Sequence, residues 1–416
     1  MTANHPGVDA ALKRFESRYP DEIELSLGRI TALLEALGRP QAHLPPVIHV
    51  AGTNGKGSTC AYLRAMAEAA GLKAHVFTSP HLVRFNERMR IANHLVEDAY
   101  LIDLLERTHA AVGDNEITHF EATTAAALLG FSEAKADLLI LEVGLGGRYD
   151  ATNVIDTPAV SVITPVDYDH KQFLGTDLAR IAGEKAGIIK AGRPVVSAIQ
   201  ARVCDDVIEA ECQRLGAPLK RLTIGDLDRV PEAVALPGTH QRYNAALAGL
   251  AMRALDTPLV RETAIWSGAT KAVWPARMQK LADGPVKDMG MGAEVWLDGG
   301  HNPHAAFAIA ELLQQMGGRT VLVSAMMASK DHGNFFAAMA SAAEAVHTLP
   351  NAKGHAGATP EDLAESARRF IPKASAHNSL AEAMQAASLT KPDRILICGS
   401  LYLAGDILAA NNQVPD

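Results

Sequence analysis

The segment Gly52-Thr53-Asn54-Gly55-Lys56-Gly57-Ser58 sets three glycines around one lysine. Those residue types suit a phosphate. Glycines let successive backbone N–H groups point inward, and Lys56 places a full charge beside the β- and γ-phosphates of a nucleotide. The apolar run Val47-Ile48-His49-Val50-Ala51 before it reads as a buried strand. The alanine-rich stretch from Thr59 to Ala70 reads as a helix, whose N-terminus adds partial positive charge. The bland alternative is an ordinary glycine-rich loop, but a plain turn accounts poorly for this composition. The segment also departs from G-x-x-x-x-G-K-[ST]. It is shorter after the first glycine, and Gly57 separates Lys56 from Ser58. A generic kinase or GTPase is therefore disfavoured, and a narrower group of ATP users is expected.

Further candidates fall at the ends of apolar runs. Leu138-Leu139-Ile140-Leu141-Glu142 places an acid at a strand tip, where a carboxylate beside a phosphate loop can hold magnesium. A structural salt bridge explains Glu142 equally well. The polar, glycine-rich stretch Gly144 to Asn153 follows, and its backbone could approach a ligand closely. His170, in Asp167-Tyr168-Asp169-His170, could ligate a metal, orient a phosphate or be structural. Lys185 lies in a helix that otherwise looks buried. A buried amine is costly unless paired or chemically changed; a neutral one can take up carbon dioxide as a carbamate and become an oxygen ligand. A simple ion pair with Glu184 is the alternative. Ser79, in Thr78-Ser79-Pro80-His81-Leu82, could offer magnesium a hydroxyl or serve as a cap. In the second half, Arg277 could stabilise a transferring phosphoryl group or be a solvated surface residue, and Asp298 and His301 would face the cleft between domains.

These side chains need elements to hold them. Residues 8–38 read as helical from apolar spacing. Strands are expected at Ala74–Thr78, Leu138–Val143, Val160–Thr164 and Val195–Ala198, with helices at Glu97–Val112, Ala122–Glu133 and Leu178–Ile188. That alternation predicts a mainly parallel sheet with helices on both faces, where ligands bind at the carboxyl ends of strands. A second series begins near Val295, with strands at Glu294–Leu297, Thr320–Ser324 and Arg394–Cys398 and a helix at Pro303–Met316. It predicts a smaller, separate α/β domain. The Gly-Pro cluster in Leu281–Pro285 is the expected linker, dividing the chain into residues 1–283 and 284–416.

Composition bounds the function. The 416 residues favour two domains. The formal net charge is −8 and no basic tract stands out, so nucleic-acid binding has no electrostatic footprint. The four cysteines form no C-x-x-C pair and read as free thiols in a reducing compartment. No apolar stretch is long enough to span a bilayer and no signal peptide is apparent, so the expected address is the cytoplasm.

In order and approximate spacing, His49–Ser58, Thr78–Arg88, Leu141–Asn153, Asp169–Ile188 and Asp298–Ala305 resemble the folylpolyglutamate synthase and dihydrofolate synthase family, a branch of the Mur-ligase-like enzymes. The resemblance covers nearly the whole chain. It implies a P-loop-type ATPase domain with a mainly parallel sheet and a smaller C-terminal Rossmann-like domain carrying the glutamate-ligase function. It places ATP contacts at Thr53, Asn54, Gly55, Lys56, Gly57, Ser58, Asn244, Arg277 and Asp298. Metal ligands fall on Ser79, Glu142, His170 and Lys185, the last carbamylated. Lys56, His170 and Lys185 carry the catalytic roles. Substrate contacts fall on Thr118, Asp150, Ala151, His301 and Ser400, with a further segment around Ser17 to Pro20. The implied cofactor is magnesium, as two ions, with ATP as co-substrate. The other partners are dihydropteroate or folates and L-glutamate, with no nucleic acid or membrane, and a monomer suffices. The implied reaction is amide formation through an acyl phosphate. A cell-wall Mur ligase is the nearer rival and a non-catalytic ATP-binding switch the more distant one. Gly299-Gly300 before His301, and Tyr149 in the glycine loop, depart from many relatives.

Overall fold

The computed structural model describes residues 4–19, 26–169, 174–351 and 356–416. Fourteen strands form two sheets among these residues. The first contains β1 (Val47–Ala51), β2 (Ala74–Phe77), β3 (Met89–Ile91), β4 (His94–Leu95), β5 (Leu138–Glu142), β6 (Val160–Ile163), β7 (Val195–Ser197) and β8 (Leu219–Arg221). Their order is β4-β3-β2-β5-β1-β6-β7-β8. The pairs from β2 to β8 are parallel, and β3 and β4 add antiparallel to one edge. The second sheet contains β9 (Gln279–Lys280), β10 (Glu294–Leu297), β11 (Thr320–Ser324), β12 (Ala345–Thr348), β13 (Ala374–Ala376) and β14 (Arg394–Cys398). Its order is β13-β12-β11-β14-β10-β9, and only β9 runs antiparallel.

Side-chain alternation along the strands decides which face each site residue meets. In β5, Leu138 and Ile140 enter the core beneath helix Lys56–Ala69, whereas Leu139 and Leu141 enter the core on the opposite face. By the same period of two, Glu142 points to the side of Lys56. β1 lies between β5 and β6, so the chain leaves the centre of the sheet where strand order reverses. That is where open α/β sheets form a crevice.

Two expectations about organisation change. The N-terminal segment is not one helix. A helix at Pro6–Lys13 runs into a 3₁₀ turn at Arg14–Arg18, and a second helix begins at Gly28. Tyr19 is extended, at φ −71° and ψ 133°. It precedes a proline, which disfavours helical geometry in the residue before it.

The Leu281–Pro285 stretch is not a linker either. Gln279 and Lys280 already pair with the second sheet, and Leu281 is buried in its core. Pro285 instead opens a short helix, and a Cβ on Gly284 would lie 2.6 Å from Asn411. The crossing lies just upstream. Ala276 and Met278 adopt positive φ values of 54° and 41°. Asp298 Oδ2 accepts the Met278 N–H at 2.7 Å, and the Gly299 N–H donates to Ala276 O at 2.9 Å.

Candidate active site

The phosphate loop follows β1. Gly52 and Gly55 hold φ values of +147° and +84°, which side-chain-bearing residues rarely adopt. A Cβ on Gly55 would come within 2.6 Å of Asn244 Oδ1. The Thr53 and Asn54 N–H groups both donate to Pro165 O, at 3.0 and 3.2 Å. The Thr53 hydroxyl donates to Asp167 O at 2.9 Å and accepts the Asp167 N–H at 3.0 Å. The loop is thereby fastened to the segment after β6. Helix Lys56–Ala69 starts on Gly55 with no side-chain cap. Its first N–H groups are left for an anion.

Charged groups gather beside the loop. Lys56 Nζ donates to Gly52 O at 3.2 Å and Thr53 O at 3.4 Å. Lys185 Nζ donates to the same Gly52 carbonyl at 2.8 Å. Lys185 is only 4 % exposed. Burial pushes its amine down to about 7, and the charge of Lys56 acts in the same direction. Glu142 Oε2 accepts the Ser79 N–H at 3.1 Å, which joins the tips of β2 and β5. Burial pushes the Glu142 carboxyl up to about 7, against the pull of Lys56. A carboxylate, a hydroxyl and an amine able to become a carbamate form an oxygen set suited to a hard divalent cation. Among the described residues no three His, Cys, Asp or Glu side chains form a metal cluster, so the fit depends on Ser79 and on modification of Lys185. His170 lies outside the described residues.

The second sheet closes the site. A cavity of about 410 Å³ is walled by both domains. Its lining includes residues 52–58, Ser79, Glu142, Lys185, Asn244, Arg277, Asp298 and His301. The Asn244 amide donates to Gln241 Oε1 at 3.1 Å, and Gln241 Nε2 reaches Ser58 Oγ at 3.3 Å. Asp298 accepts the Met278 and Gly300 N–H groups at 2.7 and 2.6 Å. Burial raises its carboxyl above the usual range. His301 Nε2 lies 3.5 Å from Asp169 Oδ2, and Lys330 Nζ lies 2.6 Å from Asp169 Oδ1. His304 Nδ1 is 2.8 Å from Asp167 Oδ2.

Four expected site residues stand apart from this lining. Thr118 caps helix His119–Glu133 in a reciprocal pair with Glu121. Asp150 accepts from the Leu145 and Thr152 N–H groups and the Thr152 hydroxyl, which shapes the glycine loop. Ala151 packs in the core. Ser400 caps helix Leu401–Ala410. Conversely, Gln241, Asn302 and Lys330 were not singled out. Lys330 sits in the polar run Ser329-Lys330-Asp331 soon after the tip of β11, the same strand-end signal that marked Glu142.

Two α/β domains that enclose a phosphate loop, an acidic strand tip and a buried lysine define the class of Mur-type, ATP-dependent amide ligases. The Mur ligase middle domain matches residues 50–214, and the Mur ligase, glutamate ligase domain matches residues 277–401. The dihydrofolate synthase/folylpolyglutamate synthase of Escherichia coli is 34% identical, with 95% of this chain and 94% of that protein covered. The enzyme of the same description from Bacillus subtilis is 35% identical, over 78% and 81%. Mycobacterium tuberculosis folylpolyglutamate synthase complexed with ADP superposes with a TM-score of 0.87 at 28% identity, covering 98% and 100%. The Yersinia pestis bifunctional enzyme, solved with AMPPNP and an Mn ion, gives 0.83 at 31% identity, covering 97% of each chain. This chain belongs to the dihydrofolate synthase/folylpolyglutamate synthase family. It is an ATP-dependent glutamate ligase, and the cell-wall alternative falls away.

Proposed function

We propose that this protein joins L-glutamate to dihydropteroate, to reduced folates, or to both, and releases ADP and phosphate. The observation that carries the reading is the single cavity that brings the phosphate loop, the Ser79–Glu142 pair and Lys185 against Asp298 and His301 of the second domain. A carboxylate is a poor electrophile because its leaving group is poor. Transfer of the γ-phosphoryl group to the acceptor carboxylate gives an acyl phosphate. The neutral amine of glutamate attacks its carbonyl carbon, the C–N bond forms, and the C–O bond to phosphate breaks. Lys56 neutralises charge developing on the phosphoryl oxygens, and the loop N–H groups hold them in place. The wall of the second domain excludes water that would hydrolyse the acyl phosphate.

Ser79, Glu142 and a carbamylated Lys185, joined by His170 through the resemblance, hold magnesium, as two ions. When bound, the metal supplies charge neutralisation at the transferring phosphoryl group. Asn244, Arg277 and Asp298 contact the nucleotide. Thr118, Asp150 and Ala151 shape the pteroate side, and His301 and Ser400 the amino-acid side. Thr118, Asp150 and Ser400 already engage local backbone, so they act by fixing the walls. One chain supplies both walls, so a monomer suffices. The cytoplasm is the proposed location, and no helix among the described residues is long and apolar enough to cross a membrane.

The test is glutamate-dependent ADP release by the purified enzyme, with dihydropteroate and tetrahydrofolate compared at fixed ATP and glutamate. Release with either acceptor supports the reading and names the activity; release with neither removes it. Intact mass under bicarbonate should show a carbamate on Lys185, and an unmodified amine in active, metal-loaded enzyme removes that ligand.

A further inference from the structure

We infer that Asn302 is a positioning residue that completes the phosphate loop from the other domain. Asn302 precedes helix Pro303–Met316, and its Oδ1 accepts the Ala305 N–H at 2.9 Å. That bond identifies the oxygen end of its amide. The nitrogen end then donates across the cleft to Asn54 Oδ1 at 2.8 Å. Asn54 lies in the phosphate loop, and its main chain is already held by Pro165 O. Only its carboxamide remains to be set. With its oxygen engaged by Asn302, its Nδ2 must face the other way.

Asn54 Nδ2 is buried and has no hydrogen-bond partner. A buried donor without an acceptor is costly, so the arrangement is complete only when something supplies one. Both asparagines line the shared cavity. Asn54 stands in that lining two residues before Lys56 and the uncapped start of helix Lys56–Ala69, so the acceptor that fits is an oxygen of the terminal phosphoryl group. The flanking contacts of His301 with Asp169 and of His304 with Asp167 hold the same segment across the cleft. Removal of the Asn302 donor therefore need not part the domains. The inference rests on the ligase reading above and assigns a task within it.

Asn302→Ser separates the two roles of this side chain. Serine is as good a helix cap as asparagine, but it is too short to reach Asn54. The binding of a non-hydrolysable ATP analogue should weaken about tenfold, the scale of one neutral hydrogen bond and the donor it orients. ADP affinity and the thermal midpoint should not move. Asn54→Ala should reproduce that pattern, and the double variant should be no weaker than either single one, because the residues act as a unit. Wild-type affinity for the analogue in Asn302→Ser would overturn the inference. So would multiplied losses in the double variant, or equal losses for ADP. Analogue binding needs no acceptor acid, so the coupling is measured even if the parallel ADP-release assay finds no ligation.

Discussion

The carboxyl ends of the two sheets meet across one cavity but are furnished differently. On the first sheet, the titratable groups Lys56, Lys185 and Glu142 gather beside the phosphate loop and, among the described residues, hydrogen-bond to main-chain groups. On the second, Asp298, Asn302 and Ser400 engage nearby N–H groups and shape backbone. The contrast separates two tasks. Lys185 and Glu142 tie separate elements together beside the phosphate loop, whereas the three groups of the second sheet set the backbone next to them. Desolvation strengthens the first kind and rigidity serves the second.

The largest test of that contrast is Lys56→Ala. Loss of a cation aimed at a transferring phosphoryl group should cut glutamate-dependent ADP release by about 10²–10³-fold or more, with the far-UV spectrum and thermal midpoint kept. Full turnover in that variant would dissolve the distinction.

Asp298→Ala should act in the opposite register. It leaves the Met278 and Gly300 N–H groups without their acceptor, a cost of about 1–3 kcal/mol for the buried Met278 donor and less for the half-buried Gly300 one, read by chemical denaturation. An unchanged unfolding midpoint would mean that the wall does not depend on this clamp.

Acid provides a third test. His49 is fully buried in β1, with Nε2 2.9 Å from Thr152 Oγ1. Burial, with the charge of Lys190 acting the same way, pushes it down to about 3 from an ordinary 6.5. The unfolded chain takes up this proton below about 6.5 and the folded one does not, so stability is full above that pH and erodes as pH falls towards 3. His49→Gln should flatten the slope; an unaltered pH profile would place the acid sensitivity elsewhere.

The smallest effects are expected at Thr118→Ala and Ser400→Ala. Loss of a cap should cost about 1 kcal/mol. If either variant raises a substrate KM steeply with no loss of stability, the hydroxyl meets substrate directly and the cap is secondary.

Much of this was legible in the sequence because parallel strands are short apolar runs with polar residues at their tips. Glu294–Leu297, Thr320–Ser324, Arg394–Cys398 and helix Pro303–Met316 occupy the expected bounds. Glu142 and Lys56 could be placed together because strand, glycine loop and helix are contiguous and strand alternation fixes a face. The approach of Asn302 to Asn54 was not legible. It joins residues far apart in sequence, and neither side chain breaks a local rule. The crossing between domains was misplaced because Gly284 and Pro285 carry the composition of a linker yet start a helix against Asn411, whereas Ala276 and Met278 give no compositional sign of their left-handed backbone.

That backbone has a mechanical consequence. Two non-glycine residues in a sparsely populated conformation, Met278 held through its N–H by Asp298 and Ala276 through its carbonyl by the Gly299 N–H, make a stiff elbow, not a slack tether. Asp298, Ala276 and Met278 all pack with the second sheet, so the elbow moves with the smaller domain. The chain thus enters the smaller domain through a fixed bend, set by a side chain that also lines the nucleotide cavity.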